Sequence, residues 1–159
     1  MNRPLFSFAA FQLFVVTFLH APLSAQQQEP PYWATLKVDE VNLRVGPSMD
    51  YRIDWVYKRK GLPVRVLRVM EGWYLIQEQD GTQGWVARRM VSSTRGAIVV
   101  GDELAALRER PDSSSTLRWK LEPGVMGSLG ECREGWCELN VDGRTGFILQ
   151  QRLWGAGEP

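Results

Sequence analysis

Two kinds of apolar pattern divide the chain. From Leu5 to Leu19 apolar residues follow one another almost without a break. That is about the length of a signal-peptide core, and it falls short of the roughly 20 residues a membrane span needs. Beyond residue 34 no stretch sustains a 3.6-residue period. Short segments alternate instead, partly in Val64 to Val69 (VRVLRV) and cleanly in Trp136 to Val141 (WCELNV), as half-buried strands do. Between such segments stand Glu71-Gly72, Asp80-Gly81, Glu134-Gly135 and Asp142-Gly143. An acidic residue followed by glycine marks a hairpin, because glycine supplies the positive φ of a tight reversal. The elements predicted are therefore short strands joined by tight turns.

The strand pattern occurs twice. DEVNLRVGPSMDYRIDWVYKRKG aligns with DELAALRERPDSSSTLRWKLEPG, pairing Leu43 with Leu107, Arg44 with Arg108, Trp55 with Trp119 and Gly61 with Gly124. The match runs on through the two EGW triplets (Glu71 to Trp73, Glu134 to Trp136), the two Asp-Gly pairs, and Gly84-Trp85-Val86 against Gly146-Phe147-Ile148. The offset drifts only between 62 and 64 residues, so the chain duplicates one unit of about 60 residues. About five short strands in such a unit, with aromatics to fill a small interior, predict an all-β chain of two compact barrels.

VNLRVGPSMDYRI, KRKGLPVRVL, EGWYLI and DGTQGWV, in that order and spacing, resemble the bacterial SH3-type domain. The resemblance implies two tandem SH3-like β-barrels, at residues 34–93 and 97–155. A signal peptide (1–25) and a flexible leader (26–33) precede them, residues 94–96 link them, and 156–159 form a tail. The second copy departs from the family pattern: Ala106 stands for Asn42, Arg110 for Gly46, Gly127 for Val64 and Phe147 for Trp85. Any ligand site implied by the family is therefore expected in the first barrel. Modules of this family bind cell-wall peptide or present an attached enzyme, so the resemblance specifies fold more closely than ligand.

Cleavage before Gln26 changes the chemistry available. It removes Arg3 from the 19 Lys+Arg, leaving 18 against 18 Asp+Glu, and it removes His20, the single histidine. A neutral chain argues against nucleic acid or an anionic membrane surface as the main partner. A histidine-free chain has no imidazole base for a serine or cysteine nucleophile and lacks the commonest zinc ligand. The expectation is an exported protein, periplasmic or secreted, with no enzymatic activity, no metal, no cofactor and no stable membrane insertion once cleaved.

The aromatics are the candidate binding residues. All seven tryptophans lie beyond the leading segment. The parity of WCELNV puts Trp136 on the polar face with Glu138 and Asn140, and the same register sets Trp73 on the outer face. Either tryptophan is a platform for a peptide or glycan ligand, or covers its own hairpin turn. The family groove makes Trp85 the outward member of the Trp85-Val86 pair. Tyr51 and Tyr57 have Ser115 and Leu121 at the matched positions, which again favours the first barrel. Trp55 and Trp119 are expected to be structural. Arg44 and Arg108 are expected to pair with an acid of their own barrel and fix a loop. Cys132 and Cys137 fall opposite each other across a tight hairpin and are expected to form a disulfide in an oxidising compartment.

The function expected is binding of peptidoglycan peptide, or of an extended protein segment, through Tyr51, Tyr57, Trp73, Trp85 and Trp136. The alternative is a periplasmic adaptor that joins exported proteins and has no wall ligand.

Overall fold

The strand and turn signals resolve, in the computed structural model, into fourteen short strands among the described residues, 28–159. The first copy comprises β1 (Tyr32–Leu36), β2 (Val41–Arg44), β3 (Ile53–Tyr57), β4 (Pro63–Met70), β5 (Trp73–Gln77), β6 (Gln83–Ala87) and β7 (Val91–Ser92). The second comprises β8 (Gly96–Val99), β9 (Ala105–Arg108), β10 (Leu117–Leu121), β11 (Met126–Arg133), β12 (Trp136–Val141), β13 (Arg144–Leu149) and β14 (Leu153–Trp154). The sheet orders are β3-β2-β6-β5-β4-β1-β7 and β10-β9-β13-β12-β11-β8-β14. They are the same order, so the duplication legible in the sequence is a duplication of topology. Each sheet curls about its own apolar core as a small SH3-like β-barrel.

The acidic-Gly pairs turn the hairpins. At the β11–β12 and β12–β13 turns both members adopt positive φ, Glu134 at 51° with Gly135 at 79°, and Asp142 at 49° with Gly143 at 84°. That is the twist a two-residue reversal between right-twisted strands requires. Packing between strands is repeated as well. A Cβ on Gly84 would lie 2.5 Å from Leu43 Cγ, and one on Gly146 would lie 2.8 Å from Leu107 Cγ. The repeated Leu and Gly thus form one matched contact in each barrel.

The barrels meet back to back through their first strands. Along β8, Ala97 and Val99 enter the second core while Ile98 packs in the first. Along β1, Tyr32, Ala34 and Leu36 fill the first core, leaving Trp33 and Thr35 buried on the opposite face. The Trp33 ring meets Trp154 edge-on at 4.8 Å between centroids, and its indole N–H donates to the Gly157 carbonyl (3.1 Å). Arg95 donates to the Gly155 carbonyl (2.9 Å) and Arg59 to that of Gly124 (3.0 Å).

This interface moves two boundaries expected from the sequence and anchors the tail. Tyr32 and Trp33 belong to β1 and not to a flexible leader. In the 94–96 linker, Gly96 is already strand, and Thr94 and Arg95 are held by Thr35 Oγ1–H (3.1 Å) and Leu129 N–H (3.1 Å). The 156–159 tail is anchored, with Ala156 against the second core and Gly157 on Trp33. The reason is common to all three: strand pairing and burial between the barrels outweigh the local turn signals of Pro, Ser and Gly. The proposed signal peptide, residues 1–25, lies outside the described residues. Among the described residues no helix is long and apolar enough to cross a membrane.

Candidate ligand grooves

The outer face of each sheet carries the residues at issue. Trp85 pairs across the strands with Arg44 on β2 and Leu75 on β5, while its neighbour Val86 is fully buried in the core. Trp85 is on the face the resemblance implies, but it is buried. The expectation of an exposed Trp85 platform is corrected: flanked by Arg44 and Leu75, the indole fills the outer face instead of projecting from it.

Trp73 is half-buried and lines a surface cavity of about 200 Å³ with Asn42, Arg44, Met49 and Arg89. Trp136, its equivalent, is also half-buried and lines a cavity of about 760 Å³ with Pro111, Arg133, Glu138 and Phe147. Phe147 sits opposite Glu138 and Arg108, as Trp85 sits opposite Leu75 and Arg44. With Phe147 in place of the larger Trp85, the second barrel holds the larger space, although the sequence reading expected the ligand site in the first. The grooves also differ in charge. Arg44, Arg89 and Glu40 line the first, whereas Glu131, Glu134 and Glu138 accompany Arg133 along the second. The Glu131–Arg133 pair is well exposed and contributes little to stability.

The loop from β2 to β3 forms one wall of the first groove and is held by Arg44. This buried guanidinium donates from one nitrogen to the carbonyls of Met49 (3.0 Å) and Tyr51 (2.6 Å). Arg108 repeats the device with a single carbonyl, that of Ser115 (2.6 Å). Both arginines fix their loops as expected, but the expected acid partner is replaced by backbone. Ion pairs of the described residues join Arg52 to Asp54, Lys58 to Glu40, Arg118 to Glu109 and Arg133 to Glu131, and they involve neither arginine.

The tyrosines part company. Tyr51 is half exposed, yet its ring lies over Gly46, where an added Cβ would sit 2.6 Å from the ring carbons. The second copy changes both members together, to Arg110 and Ser115, and there Ser115 Oγ bridges the N–H and carbonyl of Arg110 (3.0 and 3.2 Å). Tyr57 is corrected outright as a groove residue: its ring is buried in the first core. Burial, and then the Glu78 carboxylate beside it, push its phenol well above the ordinary range.

The expectation that Trp55 is structural is also corrected. Trp55 is 62% exposed on edge strand β3, although its counterpart stands on the matching edge strand β10. Trp119 on β10 keeps the structural role, half-buried against the second core. Sequence reading also passed over Met49, Arg89, Glu78 and Asp80. The signal available for Glu78 was the unlike residue at its matched position, Asn140; Asp80 is matched by Asp142 and gave none.

Cys132 and Cys137 are bonded, and they occupy the directly opposed position that Val69 and Tyr74 take in the first barrel. Cys137 is fully buried in the second core. Closing so small a ring contributes about 2 kcal/mol by the chain-entropy estimate. Cys132→Ser together with Cys137→Ala is therefore expected to lower the melting temperature of the chain by roughly 6 °C, checked by calorimetry with and without reductant. Insensitivity of the unmutated protein to reductant under denaturing conditions would show the thiols to be free.

The model of the bacterial SH3 domain matches residues 37–93 and 101–155. The chain is 25% identical over 134 residues to the "Putative N-acetylmuramoyl-L-alanine amidase YrvJ" of Bacillus subtilis (strain 168). That alignment takes in 78% of this chain and 26% of the relative, so the chain spans about a quarter of that protein's length. Among solved structures, NlpC2 and NlpC1 from Trichomonas vaginalis align over 80% and 82% of this chain and 49% and 47% of their own, at 15% and 16% identity. The TM-score is 0.36 for both, too slight a likeness to bear on function.

Proposed function

This chain belongs to the bacterial SH3 domain family, and from that premise we propose that it is an exported, wall-associated binding module that grips an extended peptide of the cell wall through its aromatic grooves. The observation that carries the reading is the pair Trp73 and Trp136. They stand at one position of the duplicated unit, each half-buried on the outer face and each lining a surface cavity. An indole held in this way offers broad contact area at low entropic cost. Each groove carries both signs, Arg89 with Glu40 in the first and Arg133 with three glutamates in the second, which suits a ligand bearing both carboxylates and ammonium groups, as the stem peptides of peptidoglycan do. The disulfide accords with an oxidising compartment, and the Bacillus relative's name belongs to a wall-cleaving activity.

Retention on purified sacculi tests the proposal. Trp73→Ala and Trp136→Ala should each weaken retention about thirtyfold, the loss typical of a hot-spot aromatic worth some 2 kcal/mol, at nearly unchanged melting temperature. If an indole only caps its turn, stability falls along with binding. If the unmutated chain is not retained at low salt but crosslinks to an exported protein, the adaptor reading replaces this one.

A further inference from the structure

Methionines gather at the first groove and not at the second. Met49 and Met90 line the Trp73 cavity, and Met70 stands directly opposite Trp73 in the β4–β5 pairing, on the same face of the sheet. At the matched positions the second copy has Ser113, Arg133 and Arg152. Arg133 lies opposite Trp136 as Met70 lies opposite Trp73, and Arg152 ends a short 3-10 turn as Met90 does. Among the described residues that line the Trp136 cavity there is no methionine. One copy of the duplicated unit thus sets thioethers about its groove tryptophan where the other has a hydroxyl and two guanidinium groups.

Met49 is 59% exposed and Met70 45%, whereas Met90 and Met126 are partly buried against the first core. An oxidant arriving from water therefore meets Met49 and Met70 first, and of these two Met49 lines the cavity. Its place there is fixed, because Arg44 donates to the Met49 carbonyl at 3.0 Å and holds the loop that carries it along the groove. A thioether beside an indole is apolar and polarisable, and it adapts to what the ring contacts. A sulfoxide in its place is a polar group that draws hydrogen bonds from water. Dehydrating that group opposes the close apolar contact an indole platform offers.

We propose that Met49 is a sulfoxidation site through which oxidants of the peroxide class weaken the Trp73 groove while the Trp136 groove keeps working. The sulfur lone pair attacks one peroxide oxygen, and the S–O bond forms as the O–O bond breaks. The departing hydroxide takes the proton left on the transferred oxygen and leaves as water. Sulfur loses two electrons and the peroxide gains them. A methionine sulfoxide reductase supplied with a dithiol reverses the step, releasing the oxygen as water while the dithiol becomes a disulfide. That the ligand released is a cell-wall peptide rests on the function proposed above.

The test treats the full chain with hydrogen peroxide, maps sulfoxides over time by peptide mass spectrometry, follows the indole N–H resonance of Trp73, and compares retention on sacculi before and after. Met49 should oxidise several-fold faster than Met90 and Met126, and the Trp73 resonance should shift as it does. Retention should fall about tenfold, the upper range for a lost sulfur–aromatic contact. For variants the readout is retention after oxidation relative to retention before, so that the effect of the substitution itself cancels. Met49→Leu keeps apolar volume without the sulfur and should lose nothing on oxidation, and neither should Trp73→Ala. Met70→Leu should still show the tenfold fall. Oxidation of Met49 no faster than that of Met126, a Trp73 resonance indifferent to it, or an equal fall in Met49→Leu overturns the inference. Retention of the unmutated chain that survives oxidation of Met49 also overturns it, and leaves the wall reading intact. If sacculi fail to retain even the unoxidised chain, the wall reading falls, and selective oxidation of Met49 with a shifted Trp73 resonance still supports the site.

Discussion

Trp33→Ala is expected to destabilise the chain by about 3–5 kcal/mol, the range for truncating a buried large aromatic, and to split a single thermal transition into two. Trp33 is 8% exposed, stacks edge-on against Trp154 and donates its indole N–H to Gly157. It thus joins the first strand of one barrel to the last residues of the other. Truncation leaves a void that rigid strands on either side cannot fill, and it strands the Gly157 carbonyl. Ile98, Met126 and Trp154 of the second barrel pack against the first core, so the loss should uncouple the barrels. Calorimetry, with near-ultraviolet dichroism as a second probe, checks both parts. A single transition displaced by less than about 1 kcal/mol would mean that Trp33 contributes little to the coupling of the barrels.

Arg44→Met should cost about 3 kcal/mol, or roughly 10 °C in melting temperature, and should open the loop between β2 and β3. The substitution keeps the apolar stem of the side chain but removes the charge-assisted bonds to the carbonyls of Met49 and Tyr51. Hydrogen exchange should quicken at Val45 and Tyr51, whose N–H groups bond within that loop. Arg108→Met is the internal control. It loses one carbonyl contact, and Ser115 holds the turn independently, so it should cost about half as much. Equal effects would show that loop closure, not the second carbonyl, determines the contribution. The Trp73 groove should suffer with Arg44→Met, because Arg44 and Met49 line it.

Strand content, the duplication and the hairpin turns were all legible in the sequence, because each rests on local chemistry. Alternation with period two, a glycine after an acid and a fixed offset between like residues need no knowledge of what lies across the barrel. The disulfide was legible for a similar reason: counting from a tight turn puts Cys132 opposite Cys137. The role of Arg44 in its loop was foreseen, but the choice of carbonyls over an acid was not, since backbone acceptors leave no mark in composition.

Exposure of particular aromatics was decided by tertiary structure alone. The family resemblance set Trp85 on the face opposite Val86 and said nothing of the Arg44 and Leu75 side chains that flank it there. Trp55 and Trp119 occupy one position of the duplicated unit, yet one overhangs an edge while the other packs on a core, because of their neighbours in space. The largest difference lies between the barrels. Tyr32 and Trp33 read as a leader's end and Gly96 as a linker's end, but every residue of the strands they open, β1 and β8, is buried. A strand covered on both faces needs a second layer, and only the docking of one barrel on the other supplies it.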